Sequence, residues 1–505
     1  MLGNEISDYR QLKALRAKME TPEFKKEKFI LKSLYHCGKK VPIVNGSARV
    51  ALLANDKTAK FVGVASCKSS WGCPVCTAKQ MAKYGSRIAS ALDALKERSM
   101  SAAMITFTIP HTAGFSCEQA TEILYNTWKA FTIHGNKIGT SYANDIFANF
   151  CATFDSKHRV RVTEYTWGKN GWHPHFHTLF WFPASKIQQI LDWEERLKIR
   201  WLELAKRYSI LEFLIGYPET QIKTVRTFIL YKIDSYNEFE DAQTIREQLF
   251  KLRHSLKAEE ISDEFCKALA DTLYRFQKMY SNLNSVSNAV YISKKERINE
   301  KTAALETQVI IQESAQYLTG WGADLELTGN AKNVASHTNH YTWQQILANA
   351  IKQDEMKLNE LQPAEGSRKK EESEGAEQEP NWWKLYFEYM EATRKQRHAR
   401  VNFSVQSGLN DIIKEYRKTH AYKEILKKNR TDLKKKFGVW RTVCFFSKKQ
   451  WSDICNNDLE VRILELATAN NAINLIAELL EIYQIPPPIE NKAEAEKLEQ
   501  IWNAA

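Results

Sequence analysis

Alternating apolar and polar positions between residues 159 and 182 predict a β-hairpin. Its two runs, Arg159–Trp167 and Trp172–Phe182, are rich in β-branched and aromatic residues and flank a four-residue segment that begins and ends with glycine. Runs of this composition joined by a short glycine-bounded turn favour an antiparallel strand pair. Phe176 and Phe180 share one face of the second strand, which suits a buried core.

The opposite face of this hairpin carries two histidines and a carboxylate. His175 and His177 are two residues apart, so they project from the same face. If Trp167 pairs with Trp172, Glu164 falls opposite His175, and such partners lie roughly 4.5–5.5 Å apart at Cβ. Together they predict a divalent-metal site, whereas a single histidine is more often a structural residue. Mixed ligation of this kind suits Mg²⁺ or Mn²⁺ and does not exclude Zn²⁺.

Strand and helix patterns alternate along the rest of the chain and indicate an α+β fold with more than one domain. A strand is predicted over Ala102–Pro110, and helices over Cys117–Ile133 and Glu306–Thr319. The predicted organisation is a basic helical leader at 1–35, a cysteine-rich module and helix at 36–98, a strand-containing core at 99–345 with a helical insertion at about 185–284, a helix and charged linker at 346–380, and a helical, basic C-terminal region at 381–505.

Four of the nine cysteines lie before residue 77 and predict a second metal site. Cys73 and Cys76 have the spacing that brings two sulfurs to one ion, and Cys67 and Cys37 precede them. Four thiolates would close a structural Zn²⁺ site with no position left for water. One alternative replaces Cys37 with His36. Another gives the Cys73–Cys76 pair a redox role.

The charge of the chain is compatible with a polyanionic partner. The net charge is +12 and the pI about 9.0, which is typical of nucleic-acid-binding proteins but also of other basic soluble proteins. A solvated helix face is the alternative for each lysine. The candidate DNA contacts, basic residues interleaved with aromatic ones, are Arg394, Lys395, Arg397, Arg400, Lys427, Lys428, Arg430, Lys434, Lys435, Lys436, Phe437 and Trp440.

The termini and cysteines bear on location. No apolar stretch approaches the ~20 residues of a membrane-spanning helix. The N-terminus lacks the basic start and apolar core of a signal peptide. The odd number of cysteines suits a reduced compartment. A cytoplasmic protein with no membrane association is therefore expected.

Several segments, taken in order, carry a family resemblance. They are the His-Pro-His-Phe-His run of His173–His177, the cysteine cluster of Ser66–Cys76, the strand Met104–His111, the segment Tyr317–Gly329, and Phe387–Arg394 followed by Ser407-Gly-Leu409. As an ordered set they resemble plasmid rolling-circle replication initiator (Rep) proteins of the HUH endonuclease superfamily. The resemblance covers most of residues 36–182 and 310–410. It implies an antiparallel-sheet nuclease core within 99–345, flanking helices, an N-terminal zinc module and a helical C-terminal region.

The resemblance also implies an activity. A tyrosine hydroxyl would attack a phosphodiester of plasmid origin DNA, leave a 5′-phosphotyrosine link and a 3′-OH primer, and the strand would later be rejoined. A host helicase and the replication machinery would be partners. Because the metal ligands must be neutral imidazoles, activity should fall in acid. The alternatives are an HUH-type transposase and a zinc-containing DNA-binding regulator without nuclease activity.

Two tyrosines are candidates for the nucleophile, which the family typically carries in a Tyr-x-x-Lys pattern on a helix. Tyr317 fits the family segment, although Gly320 stands where lysine is usual. Tyr291 keeps the spacing to Lys294, but its neighbours alternate as in a strand. The residues around Tyr317 favour it as the nucleophile, with Tyr291 as the alternative and Lys294 as a candidate cation beside the phosphate.

Overall fold

The structure is a computed structural model that describes residues 5–41, 49–110, 115–132, 146–213, 242–256, 262–281, 289–298, 305–312, 340–360, 379–395, 400–403 and 408–504. None of the helices in these ranges has both the length and the apolar character needed to cross a bilayer. Short 3₁₀ segments occur at Pro22–Phe24 and Ala184–Trp193. The α-helices are α1 (Glu5–Glu20), α2 (Lys25–Ile30), α3 (Lys32–Tyr35), α4 (Pro74–Lys96), α5 (Cys117–Thr132), α6 (Ile146–Thr153), α7 (Glu194–Phe213), α8 (Ala242–Leu256), α9 (Asp263–Ser281), α10 (Trp343–Glu360), α11 (Trp382–Lys395), α12 (Leu409–Tyr416), α13 (His420–Phe437), α14 (Lys448–Asn456), α15 (Glu460–Leu466), α16 (Ala472–Ile482) and α17 (Lys492–Ala504).

The strands form antiparallel sheets, and the predicted α+β class is confirmed. The strands are β1 (Arg49–Ala54), β2 (Ala59–Val62), β3 (Met100–Thr108), β4 (Arg159–Gly168), β5 (Gly171–Pro183), β6 (Val290–Ile292), β7 (Lys294–Ile298), β8 (Leu305–Val309), β9 (Ile311–Gln312), β10 (His340–Thr342), β11 (Val401–Phe403) and β12 (Arg441–Ser447). A seven-stranded sheet has the order β10-β4-β5-β3-β6, with β11 also paired to β4 and β9 to β3. A three-stranded sheet has the order β12-β1-β2, and β7 pairs with β8.

The hairpin predicted between residues 159 and 182 is β4–β5, and its register is confirmed. Trp167 pairs with Trp172, and this places Glu164 opposite His175. The second strand begins at Gly171, ahead of Pro174. Proline is tolerated there because β3 pairs with β5 only as far as His175, so no strand on that side needs a donor from residue 174.

One face of the seven-stranded sheet is covered by helices through aromatic side chains. Phe107 of β3 packs against Trp128 of α5 and Trp201 of α7, with ring centroids 5.3 and 5.0 Å apart. Phe176 of β5 lies on the same face, 5.4 Å from the Trp128 ring. These contacts bury the apolar half of the hairpin and fix the sheet against α5 and α7.

The other face is aliphatic at one end and polar at the other. Val160 and Leu179 pack there against Ile88 of α4 and Leu409 of α12. Further along the same strands, this face carries the three residues of the predicted metal site, and we call it the metal face. Among the described residues, α4 and α12 cover the aliphatic end of the metal face, and the three residues at its polar end keep 11–15 % of their side-chain surface exposed.

The two ends of the chain meet in the three-stranded sheet, where β1 lies between β2 and β12. Arg16 of α1 and Glu460 of α15 form a buried ion pair with an N–O distance of 3.1 Å. Removing one partner of such a pair leaves a buried unpaired charge, which is strongly destabilising. Segments 444 residues apart in sequence are thus held together.

Two predictions of secondary structure need correction. The helix predicted over Glu306–Thr319 is wrong for its first residues, which form β8 and β9. Val309, Ile310 and Ile311 are β-branched and suit a pleated strand better than a helix. The rest of that segment lies outside the described residues. The C-terminal region is not helical throughout, because β11 and β12 interrupt it.

Candidate metal centre

Glu164, His175 and His177 converge on the metal face. The Nε2 atoms of the two histidines each lie 3.1 Å from Oε2 of Glu164, and 3.2 Å from each other. The three side chains are 11–15 % exposed, so they are largely desolvated but still reachable from outside. The three atoms thus form a nearly equilateral set of metal-ligand type.

The spacing of these atoms matches the ligands of a single divalent ion. At a ligand distance of about 2.1 Å, neighbouring ligands are about 3.0 Å apart in an octahedron and about 3.4 Å apart in a tetrahedron. The observed separations of 3.1 and 3.2 Å fall between these values. Among the described residues, the ligand set is one carboxylate and two imidazoles on one side of an ion, which leaves its remaining positions open, as a catalytic site requires.

Hydrogen bonds to the far side of each imidazole orient the rings. Nδ1 of His177 lies 2.9 Å from Oγ1 of Thr106, and Nδ1 of His175 lies 3.2 Å from the carbonyl oxygen of His173. When both Nδ1 atoms donate a proton to these oxygens, both Nε2 lone pairs point toward Glu164. This arrangement of a ligating histidine and an outer acceptor fixes the tautomer needed for metal binding.

Thr106→Val is expected to weaken Mn²⁺ binding roughly 10- to 100-fold, the usual cost of losing an outer hydrogen-bond partner of a ligating histidine. Thr106→Ser keeps the hydroxyl and should restore affinity. Isothermal titration calorimetry with Mn²⁺ measures both. Thr178→Val is the matched control. It makes the same threonine-to-valine change next to His177 on β5, but Thr178 projects from the face of the sheet opposite the triad. Equal Mn²⁺ affinity for Thr106→Val and the unmodified protein would show that this hydroxyl does not orient His177.

The metal face continues beyond the triad with two more imidazoles. His173 contacts Oγ1 of Thr108 through Nε2, and its ring centroid lies 5.0 Å from that of His175. His340 of β10 lies beyond it, 6.3 Å from His173 between ring centroids. The alternation of β5 indicates His173, but Thr106, Thr108 and His340 join the site only through strand pairing between distant segments.

The four predicted cysteines also form a cluster. Sγ of Cys37 lies 3.4 Å from Sγ of Cys76 and 3.8 Å from Sγ of Cys73, and with Cys67 all four sulfurs lie within 4.8 Å of one another. Zn–S bonds of about 2.3 Å in a tetrahedron place sulfurs about 3.8 Å apart. The cluster contains Cys37 and not His36, whose ring packs against Tyr35 at 5.1 Å.

The thiols of this cluster influence each other's protonation. Hydrogen bonds from Cys37 and the neighbouring thiols lower the pKa of Cys76, and hydrogen bonds with Cys37 and the same neighbours raise the pKa of Cys73. Hydrogen bonds from Cys67 and Cys73 also lower the pKa of Cys37, so protons are shared unevenly among the four sulfurs. A bound cation is what would allow all four sulfurs to be deprotonated together.

Groups from distant parts of the chain hold the loops that carry these cysteines. Arg16 of α1 donates to the carbonyl oxygen of Cys37. Tyr386 and Tyr389 of α11 donate to the carbonyl oxygens of Gly72 and Trp71, at 2.7 and 2.9 Å. Nε1 of Trp451 in α14 donates to the carbonyl oxygen of Gly38 at 2.9 Å. The cluster therefore lies where the N-terminal helices, α11 and the C-terminal region meet.

The structure places one of the two candidate tyrosines on the metal face. Tyr291 of β6 pairs with Thr106, which in turn pairs with His177. Lys294 is not directed at the triad, because its ammonium forms an ion pair with Glu194 at 3.0 Å. Tyr317 lies outside the described residues.

The basic residues predicted to contact DNA have different surroundings. Lys427, Lys428, Arg430 and Lys434–Lys436 are exposed on α13, and Arg394 is exposed on α11. Arg400 is instead buried and donates to the carbonyl oxygen of Ser70 at 3.0 Å, so its guanidinium makes a structural contact inside the protein. Nζ of Lys60 lies 3.5 Å from the ring centroid of Trp440. Lys395 ends α11, and Arg397 lies outside the described residues.

Comparisons of the chain with protein-family models, with characterised proteins and with solved structures give no match. The resemblance to rolling-circle initiators accordingly rests on the sequence motifs alone.

Proposed function

We propose that the protein is a plasmid rolling-circle replication initiator, a site-specific endonuclease that nicks origin DNA and later rejoins the strand. The observation that carries this proposal is the convergence of Oε2 of Glu164 with Nε2 of His175 and His177, at 3.1–3.2 Å, at the polar end of the metal face. Ligands of this mixed type with open positions suit Mg²⁺ or Mn²⁺ at a phosphate.

Each residue of the centre has a task that its contacts support. Glu164 supplies the negative charge, and the two imidazoles present Nε2 because their Nδ1 atoms are engaged by Thr106 and the His173 carbonyl. A divalent cation held there would polarise the scissile phosphate and neutralise charge that develops on it. The low exposure of the three side chains strengthens these electrostatic effects.

The nucleophile that we propose is Tyr317, on the motif resemblance of its segment. Its hydroxyl oxygen forms a bond to phosphorus while the bond from phosphorus to the 3′ oxygen breaks. The phenol loses its proton and the leaving 3′ oxygen gains one, so a phosphodiester is exchanged for a phosphotyrosine ester and a 3′-OH. Because one ester replaces another, the strand can be rejoined without a further energy source.

We propose two supporting elements. The cluster of Cys37, Cys67, Cys73 and Cys76 would hold a structural Zn²⁺, since its sulfur spacing suits a closed tetrahedral site. Helix α13 would contact DNA phosphates, since it carries seven lysine and arginine residues against two acidic ones and exposes most of them. Contacts of this kind fix the register of a protein on DNA and make its affinity depend on salt.

Incubation with Mn²⁺ and a supercoiled plasmid that carries the cognate origin is expected to give open circles with protein attached to the 5′ end. Tyr317→Phe should abolish the attachment, because it removes the attacking oxygen and leaves the ring in place. Tyr291→Phe should retain it. Mass spectrometry of the peptide linked to the nicked strand identifies the residue.

The other outcomes separate the alternatives. Attachment through Tyr291 would keep the proposed activity and reassign the nucleophile. A nick without any attachment would contradict tyrosine catalysis. Origin binding without a nick, in Mg²⁺ and in Mn²⁺, would contradict the nuclease and favour the zinc-containing regulator.

A further inference from the structure

We propose that Tyr291 is a stacking contact for a base of single-stranded DNA held at the metal centre. The proposal rests on the proposed function, and it assigns to Tyr291 a role other than nucleophile. Three features carry it: the face on which Tyr291 lies, its exposure, and its distance from His177.

Strand pairing puts Tyr291 on the metal face. Cross-strand partners in a sheet project to the same side. Tyr291 pairs with Thr106 and Thr106 pairs with His177, so the three residues form one row across β6, β3 and β5. The hydrogen bond of 2.9 Å between Thr106 Oγ1 and His177 Nδ1 confirms that the row lies on the side of the triad.

The exposure of Tyr291 contrasts with that of its neighbours. Tyr291 is 38 % exposed, whereas Val290 and Ile292 on either side are fully buried. Tyr291 is an exposed large apolar residue that lies on the metal face, whereas the exposed Ile311 of the same sheet pairs with Ala103, which shares the opposite face of β3 with Phe107. An accessible aromatic ring beside a phosphate-binding centre suits stacking on a base, which every nucleotide offers.

Distance favours stacking over attack. Neighbouring strands are 4.7–4.9 Å apart, so β6 lies roughly 9.6 Å from β5, and strand side chains stand roughly perpendicular to the sheet. An attacking oxygen must approach phosphorus to about 3–3.5 Å, whereas the whole width of β3 separates Tyr291 from His177 along their shared row. Single strands advance about 3.4 Å per nucleotide when stacked. The ring is therefore placed for a base within about three nucleotides of the scissile phosphate.

The test measures binding without added Mg²⁺ or Mn²⁺, by fluorescence anisotropy, using the full-length protein. One probe is a 20-residue oligothymidylate, and the other is an abasic oligomer of the same length and charge. Tyr291→Ala is expected to bind oligothymidylate roughly 5- to 150-fold more weakly and to bind the abasic oligomer as the unmodified protein does. Tyr291→Phe, which keeps the ring, should bind both normally. Tyr483→Ala is the matched control, because Tyr483 follows α16 and is similarly exposed at 43 %.

Three results would overturn the assignment. They are normal oligothymidylate binding by Tyr291→Ala, an equal loss on the abasic oligomer, and loss of the covalent DNA adduct in Tyr291→Phe. The failure of the proposed function itself gives a different result, because the unmodified protein would then neither prefer oligothymidylate to the abasic oligomer nor nick origin DNA. Nicking with no effect of Tyr291→Ala on binding would refute only the stacking role.

Discussion

His177→Ala is expected to lower the rate of origin nicking at least about 10³-fold and to abolish stoichiometric Mn²⁺ binding. His177 supplies one of three donor atoms that lie 3.1–3.2 Å apart, and the two that remain cannot enclose an ion from one side. A metal that polarises a phosphate contributes several kcal/mol to transition-state stabilisation, which corresponds to this loss. Nicking of supercoiled plasmid and calorimetry with Mn²⁺ measure the two effects.

His254→Ala is the control for this substitution, because His254 is exposed on α8. It should leave both the rate of nicking and Mn²⁺ binding unchanged. The midpoint temperature of thermal unfolding of His177→Ala should stay close to that of the unmodified protein, because the imidazole buries little apolar surface. Normal Mn²⁺ stoichiometry in a folded His177→Ala protein would show that the triad is not the metal centre.

The triad could be predicted from the sequence because it depends on local structure. A turn of only two residues, Lys169 and Asn170, joins β4 to β5, so the single pair Trp167–Trp172 fixes the register of all the others. The alternation of apolar and polar residues then decides which face is buried. Nothing outside residues 159–182 is needed to bring Glu164 opposite His175.

The surroundings of the triad depend on contacts between distant segments, and the local sequence pattern does not predict such contacts. Thr106 reaches His177 across a separation of 71 residues, and β6 joins β3 only after several helices. Tyr291 could be recognised as a residue of strand type, but its place beside the metal face follows from the order β5-β3-β6. A short apolar segment does not specify which strand it will join.

The failed helix prediction for the first residues of Glu306–Thr319, which form β8 and β9, and the unpredicted strand β12 have a similar cause. The structure of a short segment depends on the elements it packs against. Strand β12 forms by antiparallel pairing with β1, which lies almost 400 residues earlier in the chain. Propensity alone is a weak guide in such segments, since packing against the partner outweighs it.

Cys76→Ser is expected to remove one Zn²⁺ per chain and to lower the free energy of unfolding by more than about 4 kcal/mol, a range that single substitutions reach through causes such as loss of a metal. Cys76 is 1 % exposed, so the hydroxyl would be buried among three thiols that lack the cation. The loops held by Arg16, Tyr386 and Trp451 meet at this cluster, and their loss would loosen α1, α11 and α14 together. Zinc content by mass spectrometry and unfolding in denaturant give the two quantities.

Cys151→Ser is the matched control, because Cys151 is half-buried on α6 and lies outside the cluster. It should keep the zinc content and lose little stability. Treatment of the unmodified protein with a strong chelator should reproduce the effect of Cys76→Ser, since the folding free energy supplied by a structural metal disappears with it. If Cys76→Ser instead unfolds at the same denaturant concentration as Cys151→Ser, the cluster is a set of buried thiols rather than a metal site. The junction of the N-terminal helices, α11 and the C-terminal region would then be held without a metal, by contacts such as the hydrogen bonds to the carbonyl oxygens of Cys37, Trp71, Gly72 and Gly38.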